Sequence, residues 1–394
     1  MRGLALEGGG SRGAYHIGAV QAYLENGYSF DGFAGTSIGA INAALLAQGD
    51  FEKALALWKS MSMERLFDAD IEKLLKIGEI KLGMNFLTNL TNSIKKVVED
   101  GGIDTSKIRT ILEKIIDEEK LRTSAKEYGL VSVSVQERKP YEWFIEDIPQ
   151  GELLNYIMAS ACFPGFQHAI IGDKPYVDGG LYNNCPINML LHKGYDEIIA
   201  IRTHGPGIYR NFKPGSTRVT VIESREDLGN VLLFSQEQIE RNIRIGYYDG
   251  LRAIHGLRGR EYYIVPDKEK LPEERLLAIE ESVILEAGKQ LGLPSMPYKR
   301  MLFEQMIPQL GSYLKLQKEF DYMDFVIALL EHTAAQAKIE RYQVYEYEEF
   351  VRVISKTPVA EEKKRGVDLL FALLPVKDKY ANAIQCLLPS ILST

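Results

Sequence analysis

The chain has 394 residues, with 47 lysines and arginines against 54 aspartates and glutamates, so its formal net charge is −7. Ordinary hydrophobic (45%) and charged (26%) fractions exclude a disordered or fibrous chain, and the length allows two or three domains. The acidic balance gives no reason to expect a nucleic-acid partner. The 3 cysteines have no regular spacing, which argues against a disulfide framework and favours a reducing compartment.

The N-terminus enters a glycine-rich stretch after one arginine, without the apolar segment and cleavage site of a signal peptide. No stretch approaches the roughly 18 uncharged apolar residues of a membrane-spanning helix. We therefore expect a cytoplasmic protein whose membrane contact, if it makes any, is peripheral.

The beginning of the chain alternates between short apolar runs and helical patterns. Gly3–Leu6 and Gly32–Thr36 are predicted strands, and Ala14–Asn26 and Ile38–Gln48 are predicted helices that end at glycines. This βαβα order predicts an α/β fold of three layers, in which helices flank both faces of a mostly parallel central sheet.

Further elements follow at less regular spacing. The predicted strands are Leu130–Val135, Glu142–Ile145, Tyr176–Val177, Glu197–Arg202, Thr217–Glu223 and Tyr262–Val265, and the predicted helices are Ser106–Lys120, Ile187–Leu191 and Val231–Ala253. From residue 267 onward we find helical runs separated by prolines and no convincing strand. We therefore predict a first domain over residues 1–266 and a C-terminal helical module, of unassigned role, over residues 267–394.

Residues 51–103 read as a helical insertion in the first domain. Its segment Leu74–Asn92 mixes large apolar side chains with lysines and glycines. Two interpretations are about equally favoured. The insertion is either a lid or interfacial surface with an amphipathic face, or a set of helices packed on the sheet.

The first candidate site is the glycine-rich turn after the first predicted strand. Gly8, Gly10 and Gly13 satisfy the G-x-G-x-x-G pattern of dinucleotide-binding turns, and Asp31 lies where an acid could bind a ribose. The same glycines are also typical of a tight strand-to-helix turn without a ligand. Alone, this pattern does not decide between these readings.

The second candidate site favours a different chemistry. Gly35–Gly39 reads G-T-S-I-G at the next strand-to-helix junction, which is the pattern of a nucleophile elbow with Ser37 at its tip. Parallel strands place both turns at one edge of the sheet. The amides of Gly8–Gly10 are then expected to face the serine across a short gap and to form an oxyanion hole. A dinucleotide site would give Ser37 no task.

The serine needs a base, and no histidine has the expected local context. His204 and His255 follow the serine in the chain order of α/β-hydrolases, but neither lies in a turn flanked by glycine or aspartate. His16 is expected beside the glycine-rich turn, as a neighbour of the pocket. A better candidate is Asp178, which starts the turn Asp-Gly-Gly after a predicted strand, although a plain Asp-Gly turn has the same sequence.

These motifs together resemble those of the patatin-like phospholipases. The matching segments, in chain order, are Gly8–Gly13 (G-G-G-S-R-G), Gly35–Gly39, Ala159–Phe166 (A-S-A-C-F-P-G-F) and Asp178–Gly180 (D-G-G). The resemblance covers about the first 200 residues and does not explain the C-terminal part. It implies a catalytic dyad of Ser37 and Asp178 without a catalytic histidine. The oxyanion loop that it implies comprises Gly8, Gly9, Gly10 and Arg12, and the supporting motif glycines are Gly13, Gly35, Gly39, Gly179 and Gly180.

The resemblance also implies an activity. A serine acyl hydrolase of the phospholipase A or lysophospholipase type would form an acyl-enzyme and release a fatty acid, with neither metal nor cofactor. Its substrate would be a phospholipid, a lysophospholipid or another acyl ester. Two alternatives stay open: an enzyme that binds NAD(P) at the glycine-rich turn, and a catalytically silent lipid-binding protein.

Overall fold

A computed structural model describes residues 1–67, 102–266, 272–357 and 376–392. The chain divides into two compact units, 1–254 and 255–394, which are described separately below. The sequence predicts this boundary at residue 266. The segment Leu74–Asn92, considered above as a lid, lies outside the described residues. Among the described helices, none combines the length and the apolar composition that crossing a bilayer requires.

The first unit is a mixed sheet with helices. Its strands are β1 (Arg2–Leu6), β2 (Gly32–Gly35), β3 (Glu127–Ser134), β4 (Lys139–Phe144), β5 (Ala169–Ile171), β6 (Lys174–Asp178), β7 (Glu197–Arg202) and β8 (Arg218–Glu223). Its α-helices are Ala14–Glu25, Ile38–Ala47, Phe51–Lys59, Met63–Leu66, Ser106–Ile115, Glu118–Thr123, Leu153–Ser160, Ile187–His192 and Gln236–His255. Short 3₁₀ turns cover Gly10–Gly13, Ile145–Asp147 and Gly179–Leu181.

Most of the sheet is parallel, as predicted. Strands β3, β2, β1, β7 and β8 lie side by side in this order, and each neighbouring pair is parallel. Strand β4 forms an antiparallel hairpin with β3, and both strands were predicted. Strand β6 runs antiparallel to β3, and β5 runs antiparallel to β6. Strand β5 was not predicted.

Helices cover both faces of this sheet, so the three-layer α/β prediction is confirmed. One face, which carries Ala5, Ala34 and Val131, forms a buried cluster with helix Ile187–His192. On the other face, helix Ile38–Ala47 packs across β1, β2 and β3. Strands β1 and β2 are almost wholly buried, which explains why their sequences are apolar runs rather than alternating patterns.

The pairing of β3 brings two distant turns together. Gly35 at the end of β2 pairs with Leu130, and Asp178 at the end of β6 pairs with Ser132, two residues further along β3. Since β4 pairs along residues 129–134 of β3, β2 and β6 share the other edge of this strand. Two residues of a strand span about 7 Å. The fold therefore places Asp178 beside the turn that follows β2.

The second unit is mainly helical, as predicted. Its helices are Pro272–Leu277, Glu281–Leu291, Tyr298–Arg300, Ile307–Tyr313, Tyr322–Gln336, Tyr347–Lys356 and Val376–Leu392, and Met301–Met306 forms a π-helical segment. The prediction of no strand after residue 267 is wrong, because Val344–Glu346 (β10) pairs in parallel with Tyr263–Val265 (β9). The helices enclose a separate core in which Phe325, Leu329 and Phe350 are inaccessible to solvent.

Candidate active site

Ser37 lies at the tip of a strained turn between β2 and helix Ile38–Ala47. Its φ of 57° and ψ of −127° are backbone angles that few non-glycine residues adopt. The flanking glycines permit this turn because a Cβ on Gly35 would lie 2.2 Å from the carbonyl oxygen of Gly39, and one on Gly39 would lie 2.2 Å from that of Leu6. The geometry is that of a nucleophile elbow.

A second serine holds this elbow. The amide of Ser37 donates a hydrogen bond of 3.0 Å to Oγ of Ser160, which is fully buried at the end of helix Leu153–Ser160. Ser160 lies in the motif Ala159–Phe166, but the sequence alone indicates no task for it. The structure gives it the task of satisfying the amide of the strained residue.

Asp178 is buried beside Ser37, with 4% of its surface exposed. Oδ1 accepts the amide of Gly180 at 2.7 Å, whereas Oδ2 has no partner of ordinary hydrogen-bond geometry among the described residues. Burial raises the pKa of Asp178 from 3.8 to about 6, and the nearby Ser37 hydroxyl and the Gly180 amide oppose part of this rise. The two residues line the same cavity, where the Ser37 hydroxyl is one of the groups that lower the pKa of the carboxyl.

The glycine-rich loop lies against the same turn, but its amides are not equivalent. The amide of Gly8 donates to the carbonyl of Asn184 at 2.9 Å and is therefore engaged. The amides of Gly9 and Gly10 have no hydrogen-bond partner in the part of the chain that the structure describes. Gly10 has a φ of 56°, and a Cβ there would lie 2.0 Å from the carbonyl oxygen of Val231. The amides of Gly9 and Gly10 remain available to an oxyanion.

Arg12 braces this loop rather than facing the serine with its own amide. Its amide donates to Gly9 at 3.2 Å, and its guanidinium donates to the carbonyls of Gly229 and His204, both at 2.7 Å. Two of the four residues expected at the oxyanion hole, Gly8 and Arg12, thus have their amides engaged elsewhere.

The remaining motif glycines permit close packing around the site. A Cβ on Gly13 would lie 2.7 Å from the Ile38 side chain, and one on Gly179 would lie 2.2 Å from the carbonyl oxygen of Val131. Gly180 holds the carboxylate of Asp178 through its amide. These glycines therefore lie in or directly behind the glycine-rich turn, the serine elbow and the Asp178 turn.

The two histidines considered as bases, His204 and His255, and His16, which was expected beside the pocket, all lie outside the cavity lining. His16 is fully buried, and burial lowers its pKa to about 3, so its ring is neutral; Asn42 lies 3.2 Å from its Nδ1. Neither His16, His204 nor His255 lines the cavity that contains Ser37, whereas the exposed His168 does.

The residue considered as a ribose ligand also lies away from the glycine-rich turn. Asp31 immediately precedes β2 and accepts the amide of Arg2, at the start of β1, at 2.6 Å. The glycine-rich turn and the serine elbow lie at the opposite ends of these strands, about 13 Å away along a strand of four residues. Asp31 is therefore on the wrong edge of the sheet for a dinucleotide site.

A cavity of about 380 Å³ opens on Ser37, Asp178, Gly9 and Gly10. Its wall is largely apolar and includes Ile38, Ile41, Leu66, Phe67, Leu112, Met158, Phe166, Leu232 and Phe234. Polar side chains of Asp104, Arg109, Asn155 and His168 contribute further parts of the lining. Its size is in the range typical of small-molecule sites.

Comparisons with known proteins agree with this geometry. Residues 4–191 match the family model of the patatin-like phospholipases. A probable lipid hydrolase of Invertebrate iridescent virus 6 is 24% identical over 59% of this chain and 81% of its own. An uncharacterised NTE family protein of Mycobacterium tuberculosis (strain H37Rv) is 27% identical over 54% of this chain and 52% of its own, so the chain spans about half of that relative.

Among solved structures, the crystal structure of VipD from Legionella pneumophila aligns at 14% identity with a TM-score of 0.38, over 100% of this chain and 85% of its own. The matched residues 4–191 contain the elbow serine, the glycine-rich loop and the buried aspartate. Over these residues the chain is similar to the patatin-like phospholipases.

Proposed function

We propose that the protein is a serine lipid acyl hydrolase in which Ser37 is the nucleophile and Asp178 the general base. The observation that carries this proposal is the pairing of a serine on a strained elbow with a buried carboxylate whose pKa is raised to about 6. A base with this pKa is ionised at neutral pH and is a better match for a serine hydroxyl than an exposed aspartate. We assign the activity to the first unit and leave residues 255–394 without a role.

In the first step, Asp178 accepts the hydroxyl proton of Ser37 while Oγ attacks the carbonyl carbon of an acyl ester. The negative charge that develops on the carbonyl oxygen is stabilised by the amides of Gly9 and Gly10. Collapse of this intermediate breaks the bond to the alcohol, which takes the proton from Asp178. The acyl group remains on Ser37.

In the second step, Asp178 accepts a proton from water, and the water oxygen attacks the acyl-enzyme. The same amides stabilise the second oxyanion, after which the bond to Ser37 breaks and Oγ recovers its proton from Asp178. The products are a fatty acid and free enzyme. Because Asp178 must carry both proton transfers, the oxyanion amides supply much of the rate; losing one such donor costs about 10²- to 10³-fold in other enzymes.

The cavity supports a lipid substrate. Apolar side chains such as Phe67, Leu112 and Phe166 can cover an acyl chain whose ester lies at Ser37, and the polar lining at Arg109 and Asn155 is suited to a headgroup. We therefore propose a phospholipid or lysophospholipid as the substrate.

Reaction with a fluorescent fluorophosphonate tests the proposal. Wild type, Ser37→Ala and Asp178→Asn are compared, and each is first checked for folding by circular dichroism. We expect labelling of wild type, no labelling of Ser37→Ala and much slower labelling of Asp178→Asn. Release of fatty acid from phosphatidylcholine and lysophosphatidylcholine vesicles should follow the same order.

The outcomes separate the alternatives. A folded wild type that neither labels nor releases fatty acid would favour a silent lipid-binding protein. Labelling that persists in Ser37→Ala would assign the reactive nucleophile elsewhere. Full activity in Asp178→Asn would remove the proposed base.

A further inference from the structure

Asn184 is a buried residue that the proposed chemistry does not use. It follows Asp178 by six positions, is 1% exposed, and lines the cavity that contains Ser37. None of the sequence motifs described above includes it.

Asn184 holds Gly8 from two sides. Its carbonyl oxygen accepts the Gly8 amide at 2.9 Å, and its Nδ2 donates to the Gly8 carbonyl in a longer bond of 3.4 Å. The same Nδ2 donates to the carbonyl of Gly205 at 3.3 Å. A Cβ on Gly8 would lie only 2.4 Å from Oδ1 of Asn184, so the glycine and the side-chain amide are in direct contact.

Asn184 is also connected to the base. The carboxylate of Asp178 accepts the Gly180 amide at 2.7 Å, and the Gly180 carbonyl accepts the Ile208 amide at 2.8 Å. The Ile208 carbonyl accepts the Asn184 amide at 2.7 Å, and the Asn184 carbonyl accepts the Gly8 amide. An unbroken series of hydrogen bonds therefore runs from the base to the loop that carries the oxyanion amides.

The side chain does not satisfy all of its own polar atoms. Oδ1 of Asn184 is buried and has no hydrogen-bond partner among the residues that the structure describes. An unsatisfied buried acceptor destabilises the folded state, so packing alone would be served better by an apolar side chain of similar shape. What an apolar side chain could not provide is the amide donor to Gly8 and Gly205.

We propose that Asn184 is a positioning residue that fixes the oxyanion loop relative to Asp178, so that base and oxyanion donors keep one geometry through both steps. This inference rests on the proposed function. Transition-state stabilisation by amides depends on their placement before the reaction begins, and a small displacement weakens it without changing substrate binding.

Asn184→Leu tests this role because it keeps the approximate shape and removes the donor. We expect kcat for p-nitrophenyl butyrate to fall about 10- to 100-fold and KM to change less than about threefold. This fall in kcat is at most comparable to the fall that removal of a whole oxyanion donor causes in other enzymes. A trifluoromethyl ketone, which forms a tetrahedral adduct with an active serine, should bind more weakly by the same factor as kcat/KM falls. If Asn184 were purely structural, the fall in kcat/KM and the fall in ketone affinity would not be equal.

Asn183→Leu is the matched control. Asn183 is the preceding residue, is equally buried, and also has an Oδ1 without a partner among the described residues, but it does not line the cavity. We expect its kcat and its ketone affinity to stay within about twofold of wild type. If Asn184→Leu does not fold, Asn184→Ser takes its place, because serine retains one donor in a smaller side chain. We expect its kcat and its ketone affinity to fall, but by less than the roughly 10- to 100-fold expected for leucine.

Ser37→Ala is measured in parallel to separate the two proposals. An inactive wild type, or activity that survives in Ser37→Ala, overturns the proposed function and this inference with it. If activity depends on Ser37 while a folded Asn184 variant keeps wild-type kcat and ketone affinity, only the positioning role is overturned. Equal losses in the Asn183 and Asn184 variants would also overturn it, since they would report a general loss of packing.

Discussion

Replacing Asp178 with asparagine should abolish activity and stabilise the protein. The folded carboxyl has a pKa of about 6, against an ordinary value of 3.8, because it is buried. Between these two pH values the folded chain binds a proton that the unfolded chain has lost. Stability is therefore greatest below about pH 4 and falls as the pH rises through about 6. Above that pH the buried charge costs about 3 kcal/mol.

Asparagine removes this charge while its Oδ1 can still accept the amide of Gly180. We expect Asp178→Asn to gain about 3 kcal/mol over wild type at pH 8 and about 1 kcal/mol at pH 4.5. The change of about 2 kcal/mol across this range is the diagnostic quantity, because other effects of the substitution do not depend on pH. Active-site residues commonly carry such a cost in stability.

Urea unfolding followed by tryptophan fluorescence measures this difference. The chain has 2 tryptophans, Trp58 and Trp143, and both lie in the first unit, so the signal reports the unit that contains the site. Asp173→Asn, at an exposed turn, controls for the loss of a surface carboxylate. A stability difference between Asp178→Asn and wild type that is flat from pH 4.5 to pH 8, or that decreases over this range, would refute the reasoning.

Two further predictions follow from the same site. The logarithm of kcat/KM for a soluble ester should rise with pH at a slope of one up to about pH 6 and then level off, because Asp178 must be ionised to accept the proton. A kcat/KM that does not change between pH 5 and pH 8 would contradict the role of Asp178. Gly39→Ala should destabilise the first unit by about 3 kcal/mol, since the new Cβ would lie 2.2 Å from the Leu6 carbonyl oxygen, which the sheet holds in place. Thermal unfolding measures this loss, and Gly151→Ala is the control. Nothing lies within 4 Å of a Cβ at Gly151, so only its φ of 87° opposes alanine, at a cost of about 1 kcal/mol.

The sequence predicted those parts of the fold that local signals encode. The first two strand–turn–helix units combine a buried apolar run, a glycine and a regular helix, and the ends of these elements agree with the prediction to within one residue. Two short strands were missed, because three residues are too few to show an alternation of apolar and polar side chains; they are Ala169–Ile171 and Val344–Glu346. Their pairing is decided by the strands beside them.

The candidate site also combines features that local motifs encode with features that distant contacts decide. Ser37 and Asp178 could be proposed from the sequence because each lies in a short motif whose glycines are required by the local backbone. Ser160 and Asn184 were not given roles, since each acts on a segment more than a hundred residues away along the chain. The spacing of the glycines in the sequence also does not reveal which amides are free. The Gly8 amide donates to a backbone carbonyl, whereas the amides of Gly9 and Gly10 do not.

The contacts of the glycine-rich loop have a consequence for the order in which the site is completed during synthesis. The loop emerges from the ribosome long before its partners, because the guanidinium of Arg12 donates to the carbonyl of Gly229 and the amide of Ser11 donates to that of Val231. A nascent chain that has already exposed Ser37 and Asp178 therefore lacks the partners that hold its oxyanion loop. Hydrolytic competence is expected only after Val231 has left the ribosomal tunnel, so a truncated product would carry both reactive groups without an organised site to use them.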